Sequence, residues 1–357
     1  MKLRRFMLWV HLVVGLVAAI ELLLLGVTGA VLVFEGELEQ AQNPELWRVR
    51  PEGPRLDMAE FVARVEKNSG GAKITGLRFS EDPGTAIGAS LRGADGKPKS
   101  ITASPYTGVV LGSTAGTNPW LPKVHQFHTN LLLGPPGKVV TATAAVMLVV
   151  LALTGLILWW PRRIWWLGDM KSGRKVNFDL HNALGFWSSL FMLMFGLTGL
   201  VIHYDNELVD LVGRLTNTPR LEIPAPPKVE AGAQPVSIAA AYEEATKAVP
   251  GAAVNSMQNL SSLKGPVRVM MRFPEDRTPG GRTNVYLHPV TGEVLMSQDS
   301  RTAPPGYRWV KLWNRQFHTG DEMGMFSRIL TCLASLSLPL LAITGPLIWW
   351  GRKRRRN

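Results

Sequence analysis

The stretch from Asp179 to Leu208 reads DLHNALGFWSSLFMLMFGLTGLVIHYDNEL, an apolar run between two histidines, His181 and His203. As a helix it is long enough to cross the roughly 30 Å hydrocarbon core of a membrane. The two imidazoles return to within about 40° of one helix face and lie about 33 Å apart along the axis. One helix therefore presents a nitrogen ligand near each membrane surface. Gly185 lies on the same stripe, where a small residue lets a large flat group or another helix approach.

Much of this stretch recurs at the N-terminus, and a second correspondence links two later segments. In the first correspondence, His11 matches His181, Gly15 matches Gly185, and Thr28-Gly29 matches Thr198-Gly199, all with one constant shift in numbering. In the second correspondence, which has its own constant shift, Gln126–Thr129 matches Gln316–Thr319, Thr154-Gly155 matches Thr344-Gly345, and Trp159-Trp160 matches Trp349-Trp350. Constant shifts in separate segments indicate a duplicated unit, a common feature of transmembrane proteins.

Four apolar runs are each long enough to span a membrane as a helix. They are approximately Phe6–Phe34, Val139–Trp160, Leu184–Tyr204 and Ile329–Trp350. Such runs of about 20 residues are typical of membrane-spanning helices. The sequence therefore predicts an α-helical membrane protein with four transmembrane helices as a tandem duplication.

The net charge of +12 lies almost entirely in three short segments, 1–5, 161–180 and 351–357. Four crossings would bring these three segments to one side, and basic loops favour the cytoplasmic side of a membrane. We therefore expect both termini to be cytoplasmic. Topology accounts for the basic pI, so no nucleic-acid partner is expected, whereas membrane lipid is. The chain has one cysteine, which excludes a disulfide within the chain and a thiolate metal cluster.

The two segments on the other side are expected to be small α+β modules. Asp57–Val65 and Ser237–Val249 have the pattern of short helices, and strand-like alternation follows each. Both segments contain Pro-x-Thr-Gly-x-Val-Leu, which predicts a turn between two strands, with Gly108 and Gly292 supplying the permissive backbone.

The histidines fall into two layers. His11 and His181 lie near the cytoplasmic surface, and the outer layer contains His125, His128, His203 and His318. A twofold axis between the halves would bring His11 to His181 and His128 to His318. Two imidazoles that meet across a glycine-lined gap suit a low-spin haem iron with bis-histidine ligation. Purely structural histidines and a different metal remain the alternatives.

These motifs as a set resemble the PepSY-associated transmembrane family, the iron-regulated bacterial membrane proteins that include inner-membrane ferric-siderophore reductases. The resemblance rests on the His-x-x-x-Gly and Thr-Gly motifs, His128 and His318, the Trp-Trp exits and the Pro-x-Thr-Gly-x-Val-Leu turns, and it covers essentially the whole chain. It implies two periplasmic PepSY-like modules and b-type haem that relays electrons outward to a ferric siderophore or other ferric chelate.

The expected organisation follows from the runs and the resemblance together. The expected segments are transmembrane helix 1 (6–34), PepSY-like module 1 (35–120), a histidine element with helix 2 (121–160), a cytoplasmic loop (161–180), helix 3 (181–204), PepSY-like module 2 (205–310), a histidine element with helix 4 (311–350) and a basic cytoplasmic tail (351–357). The expected location is the bacterial inner membrane. The sequence has no dinucleotide-binding fingerprint, so the electrons are expected from a quinol or a separate reductase.

The expected cofactor is two b-type haems with His11, His181, His128 and His318 as axial ligands, and Gly15 and Gly185 beside the first pair. His203 and His125 depart from the duplication and are alternative outer ligands. Glu21, in the middle of the first run, is read either as a proton relay or quinol contact or as a protonated carboxyl bonded to a neighbouring helix. The alternative function is a non-redox scaffold whose PepSY-like modules bind or regulate a periplasmic partner or protease. A transporter for an intact siderophore is weaker, because four spans without a polar pathway make a poor channel.

Overall fold

The computed structural model describes residues 2–168, 170, 172–218, 222–225, 228–230 and 232–353. Two residues of the expected cytoplasmic loop, 169 and 171, and residues 354–357 of the expected basic tail lie outside this part of the chain. The described residues fold into two units. The membrane unit comprises those of Met1–Glu35, Trp120–Leu211 and Trp309–Asn357, and the sheet unit comprises those of Gly36–Pro119 and Val212–Arg308.

The α-helices of the described chain are α1 (Lys2–Leu32), α2 (Glu35–Gln42), α3 (Pro44–Trp47), α4 (Met58–Asn68), α5 (Leu121–Asn130), α6 (Pro135–Trp159), α7 (Gly173–His203), α8 (Asp205–Leu215), α9 (Ile238–Ala248), α10 (Pro305–Tyr307), α11 (Asn314–Thr319) and α12 (Met325–Lys353). A π-helical segment, Arg308–Trp313, precedes α11, and a 3-10 turn, Asp321–Met323, follows it. The strands are β1 (Lys73–Arg78), β2 (Ile87–Arg92), β3 (Pro98–Ala103), β4 (Val110–Ser113), β5 (Ala253–Gln258), β6 (Val267–Arg272), β7 (Thr283–Leu287) and β8 (Val294–Gln298).

In the part of the chain that the structure describes, four helices, α1, α6, α7 and α12, are long and apolar enough to cross a membrane. They expose large apolar side chains such as Ile20, Leu190 and Leu333, as a helix in contact with lipid does. The chain is therefore an α-helical membrane protein of the multi-pass type. The helix α7 starts well before the expected bound of 181, within a polar stretch. There the Nζ of Lys175 donates to a carboxylate oxygen of Asp179 at 2.7 Å, one helical turn away.

The four long helices form a bundle in which α1 packs against α12 and α6, and α7 packs against α6 and α12. Its centre contains Ala18 and Leu22 of α1, Leu148 of α6, Met192 of α7 and Leu338 of α12. We call the end at which α1 begins and α12 ends the terminal end, and the other the opposite end. The helix α12 continues through Pro339 and Pro346.

Glycines allow close helix contacts in the bundle. A Cβ added at Gly196 of α7 would lie 2.6 Å from Cγ2 of Val149 and 2.9 Å from the carbonyl oxygen of Ala145, both on α6. A Cβ at Gly26 of α1 would lie 2.8 Å from Cβ of Leu338 on α12. These two glycines, which match each other in the first correspondence, therefore set the distance between neighbouring helices.

Replacing Gly196 by alanine is expected to destabilise the bundle by about 1–3 kcal/mol, because the new methyl group must displace the backbone of α6. The matched control is Gly36→Ala on α2, where an added Cβ meets nothing within 4 Å. Thermal unfolding of each purified variant in detergent measures its stability. Equal melting temperatures for the two variants would contradict this account of the helix contact.

The sheet unit contains one eight-stranded antiparallel sheet in the order β4-β3-β2-β1-β5-β6-β7-β8. Two α+β modules were expected from the sequence, and the structure joins them through β1 and β5. In this pairing Leu77 lies opposite Met257, and Arg78 lies opposite Ser256. The helices α4 and α9 pack on one face, where Phe61 and Ala241 contribute to a single apolar core.

Local signals in the sequence account for the helices and turns of this unit. The carboxylate of Asp57 accepts the backbone N–H of Glu60 at the start of α4, and the hydroxyl of Ser237 accepts that of Ala240 at the start of α9. The expected turns between β3 and β4 and between β7 and β8 are confirmed. Gly108 and Gly292 occupy them with φ values of +68° and +76°.

Candidate functional site

The first histidine pair lies toward the terminal end of the bundle. His11 of α1 and His181 of α7 face each other with ring centroids 6.3 Å apart and an interplanar angle of 87°. Nδ1 of His11 lies 2.9 Å from the hydroxyl of Thr154 on α6, and Nδ1 of His181 lies 2.8 Å from that of Thr344 on α12. All four long helices thus contribute to this pair.

The second histidine pair lies toward the opposite end. His128 of α5 and His318 of α11 have ring centroids 6.5 Å apart and an interplanar angle of 56°. Nδ1 of His128 lies 2.9 Å from the hydroxyl of Thr28 on α1, and Nδ1 of His318 lies 2.8 Å from that of Thr198 on α7. These contacts follow the same two correspondences as the sequence, so each half of the chain supplies one histidine and one threonine to each pair.

The two pairs lie at different depths along α1 and α7. The interval from His11 to Thr28 on α1 equals the interval from His181 to Thr198 on α7. A helix rises 1.5 Å per residue, so the two levels are about 25 Å apart along these axes. The bundle therefore carries one pair of imidazoles near each of its ends.

The threonines determine which ring nitrogen of each histidine is protonated. Each of the four hydroxyls donates to the backbone carbonyl four residues earlier in its own helix. Its oxygen then accepts the N–H of the histidine Nδ1, which leaves Nε2 as the unprotonated nitrogen of a neutral ring. A histidine that ligates a metal through Nε2 usually donates its Nδ1–H in this way, because the hydrogen bond fixes the tautomer and the ring orientation.

The glycine after each threonine provides space for the same ring. A Cβ added at Gly29 would lie 3.1 Å from Cε1 of His128, and one at Gly155 would lie 3.3 Å from Cε1 of His11. The corresponding distances are 3.3 Å from Gly345 to His181 and 3.7 Å from Gly199 to His318. Each Thr-Gly pair therefore accommodates one imidazole, because the threonine binds the ring and the glycine leaves space for it.

Burial keeps the second pair neutral. It lowers the pKa of His128 to about 4 and that of His318 to about 3. His125, one turn before His128, is exposed and behaves differently. Its Nδ1 lies 3.0 Å from a carboxylate oxygen of Glu35, and this hydrogen bond raises the pKa of His125. A neutral imidazole is the form that binds a metal.

The other residues expected at the site lie outside the two pairs. His125 is engaged with Glu35, and the ring of His203 packs against Tyr204 with centroids 4.5 Å apart. A Cβ added at Gly15 would make an ordinary 3.5 Å contact with Leu151, and one at Gly185 a 3.7 Å contact with Leu341. Gly15 lies one helical turn from His11, and Gly185 lies one turn from His181. Both glycines therefore pack against a leucine. Oε1 of Glu21 is buried and has no hydrogen-bond partner among the described residues.

The spacing of both pairs fits a haem iron between the rings. A metal lies roughly 2 Å from an imidazole nitrogen and the ring centre is about 1 Å farther, so two axial imidazoles have centres about 6 Å apart. The observed separations are 6.3 Å and 6.5 Å. Within the described residues no group of three or more His, Cys, Asp or Glu side chains could hold a metal ion. A haem needs only two protein ligands, because the porphyrin supplies the other four.

Sequence reasoning did not assign Thr28, Thr154, Thr198 and Thr344 to the site. The signal that could have found them is the recurrence of Thr-Gly in both correspondences. It recurs with the histidines, and a purely apolar span has no need of a hydroxyl at a fixed place. The partners themselves could not be deduced, since Thr154 is 143 residues from His11.

Four apolar helices and two facing histidine pairs define a multi-pass membrane protein with paired imidazoles near both ends of its bundle. The family model described as "PepSY-associated TM region" matches residues 8–352, so the chain belongs to this family. It is also similar to a protein of Pseudomonas aeruginosa named only as uncharacterized, with 35% identity over 86 residues. That match covers 23% of this chain and 21% of the relative, so the chain spans about a fifth of the relative's length.

Proposed function

We propose that this protein is a transmembrane reductase that binds two b-type haems, one at His11 and His181 and one at His128 and His318. The observation that carries the proposal is the pair of facing imidazoles at each end of the bundle, each with Nδ1 bound to a threonine. A bound haem would supply a one-electron redox centre at each level. We also infer that the two halves arose by tandem duplication, because the contacts follow the same two correspondences as the sequence.

The chain's own residues hold and shield these two positions. The threonines orient the rings, the glycines after them admit the rings against the helices, and the four long helices surround the first pair. The separation of about 25 Å between the two levels is comparable with the hydrocarbon core of a membrane. The pairs would therefore give electrons one position near each surface.

The proposed direction of transfer is from the cytoplasm outward. The described residues of the basic segments 1–5, 161–180 and 351–357 lie at the terminal end, so the positive-inside rule assigns this end to the cytoplasm of a bacterium with the chain in its inner membrane. The first pair is then the inner one. Residues 35–120 and 205–310 would be periplasmic, as the family resemblance implies.

We propose a ferric chelate, such as a ferric siderophore, as the electron acceptor. Ferric iron is held by hard oxygen ligands, and reduction to ferrous iron weakens that binding, so the chelate releases its metal without being broken. Since the sequence has no Gly-x-Gly-x-x-Gly fingerprint, the electrons would come from a quinol or a separate reductase.

An optical spectrum of the detergent-purified chain, oxidised and then reduced with dithionite, tests the proposal. We expect the sharp reduced bands of low-spin haem b and two haems per chain. Oxidation of the reduced protein by a ferric siderophore, followed with a ferrous-iron chelator, tests the acceptor. A colourless protein from haem-replete cells would contradict haem binding and favour the alternative, a non-redox scaffold that binds a periplasmic partner or protease.

A further inference from the structure

Two arginines occupy equivalent positions beside the first histidine pair. Arg4 precedes His11 on α1 by seven residues, and Arg174 precedes His181 on α7 by the same interval. Seven residues are almost two helical turns, so each arginine lies about 20° from the stripe of its histidine and about 10 Å farther toward the terminal end. Two cations thus share the faces that carry the first pair.

Neither Arg4 nor Arg174 has an ion pair or hydrogen bond with another residue in the part of the chain that the structure describes, and both are exposed. The neighbouring Lys175 is different, because its ammonium group donates to Asp179 at 2.7 Å. The charges of the two arginines are therefore available to a ligand.

The second pair has a cation in a comparable place. Arg315 precedes His318 by three residues, one helical turn. Two contacts show toward which end of the bundle Arg315 is displaced from His318. His318 bonds to Thr198, whereas Lys311, a further turn back, forms an ion pair with Asp205, seven residues beyond Thr198. Arg315 therefore lies between these levels, displaced from His318 toward the opposite end.

Arg315 is exposed, and its guanidinium group has no ion pair or hydrogen bond with any residue that the structure describes. Its equivalent in the second correspondence is His125, which is paired with Glu35. The other ion pairs nearby, Lys311 with Asp205 and Arg328 with Asp321, are internally neutral. Arg315 and His318 lie one turn apart on the same helix α11, so the arginine is close to the second pair.

At both levels, then, arginine is displaced from the histidines toward the nearer end of the bundle. Haem carries two carboxylates, its propionates, at one edge of the macrocycle. A carboxylate that leaves bulk water needs hydrogen-bond donors and a compensating charge. The planar guanidinium group provides both, since it can donate two parallel hydrogen bonds to one carboxylate.

We propose that Arg4 and Arg174 bind the propionates of a haem at the first pair and that Arg315 binds a propionate of a haem at the second. The inference rests on the proposed haem binding. It adds an orientation, because the propionate edge of each haem would face the nearer membrane surface.

A comparison of haem with its dimethyl ester, which lacks the propionate charges, tests the contact. In the full chain carrying His128→Ala and His318→Ala, only the first site remains. In this background, Arg4→Gln and Arg174→Gln should each reduce the preference for haem over the ester about tenfold. This is the expected effect of losing one charge-assisted hydrogen bond. The control is Arg5→Gln, which removes the same charge from the same helix at about 120° from the stripe of His11.

The second site is tested in the same way in the full chain carrying His11→Ala and His181→Ala. Arg315→Gln should reduce the preference for haem over the ester, whereas Lys123→Gln, on the far side of α5 from His128, should not. Redox titration of the haem-loaded chain with all four histidines is the second readout. Loss of an arginine beside one haem should lower the midpoint potential of that haem alone, because a nearby positive charge favours the reduced form.

Equal preferences in the arginine variants and their controls would overturn the assignment even if both haems are bound. Unchanged haem midpoint potentials in Arg4→Gln, Arg174→Gln and Arg315→Gln would also overturn the assignment. Absence of haem from the unsubstituted chain would instead overturn the proposed function, so the two failures are distinguishable.

Discussion

Replacing His11 and His181 together by alanine is expected to remove one of two haems from the purified chain, and replacing His128 and His318 together should remove the other. Each double variant takes both imidazoles from one pair and leaves the other pair about 25 Å away along the bundle. Haem quantified per chain should therefore fall from two to one in each variant and to none when all four are changed. The two single-haem spectra should add up to the spectrum of the unsubstituted protein.

Two other histidines serve as controls for this experiment. His288 lies in the sheet unit, where its Nδ1 accepts the backbone N–H groups of Val290 and Thr291, so His288→Ala should retain both haems. His203→Ala should also retain both, because its ring packs against Tyr204 rather than against either pair. Loss of a haem in His203→Ala would show that the second site uses a different ligand from the one inferred here.

The sequence allowed the histidine pairs to be predicted, because the two correspondences link their members. His11 and His181 needed only the duplication and the helix length. The second pair was harder, since four histidines lie near that end and periodicity does not distinguish them. The structure separates them through contacts that no local pattern encodes. His125 is paired with Glu35, 90 residues away, whereas His128 is bound to Thr28, 100 residues away.

The fold shows a similar division between local and long-range information. Asp57 and Ser237 are ordinary helix caps, so α4 and α9 could be predicted to within a few residues. The pairing of the two strand sets through β1 and β5 could not be predicted. It depends on Leu77 lying opposite Met257 across a large sequence separation, and an antiparallel edge strand gives no local sign of the strand that will pair with it. The helix α7 is longer than the apolar run that predicts its membrane span, because hydropathy detects only the apolar part of α7 and not its polar first turns.

Replacing Thr154 and Thr344 by valine is expected to weaken haem binding at the first pair by about 10- to 100-fold, the usual effect of losing the hydrogen-bond partner of a ligating histidine. Valine has nearly the shape of threonine, so the helices α6 and α12 should pack as before. The substitution removes the bond from each hydroxyl to a carbonyl of its own helix, together with the acceptor for Nδ1–H of His11 and His181. Without it the proton can move to Nε2, and the ring can rotate away from the productive orientation.

Haem retention during dialysis against excess apomyoglobin measures this effect, with the spectrum of the remaining haem as a second readout. Thr154→Ser and Thr344→Ser should restore retention, because serine keeps the hydroxyl that accepts the ring N–H. The matched control is Thr143→Val on α6, whose hydroxyl donates to the carbonyl of Val139 but accepts from no histidine. If Thr143→Val releases haem as readily as Thr154→Val, the loss reflects a weakened helix, and the threonines do not act through the imidazoles. If only the variants at Thr154 and Thr344 release it, and serine restores it, the hydroxyl sets the protonation and orientation of both rings at once.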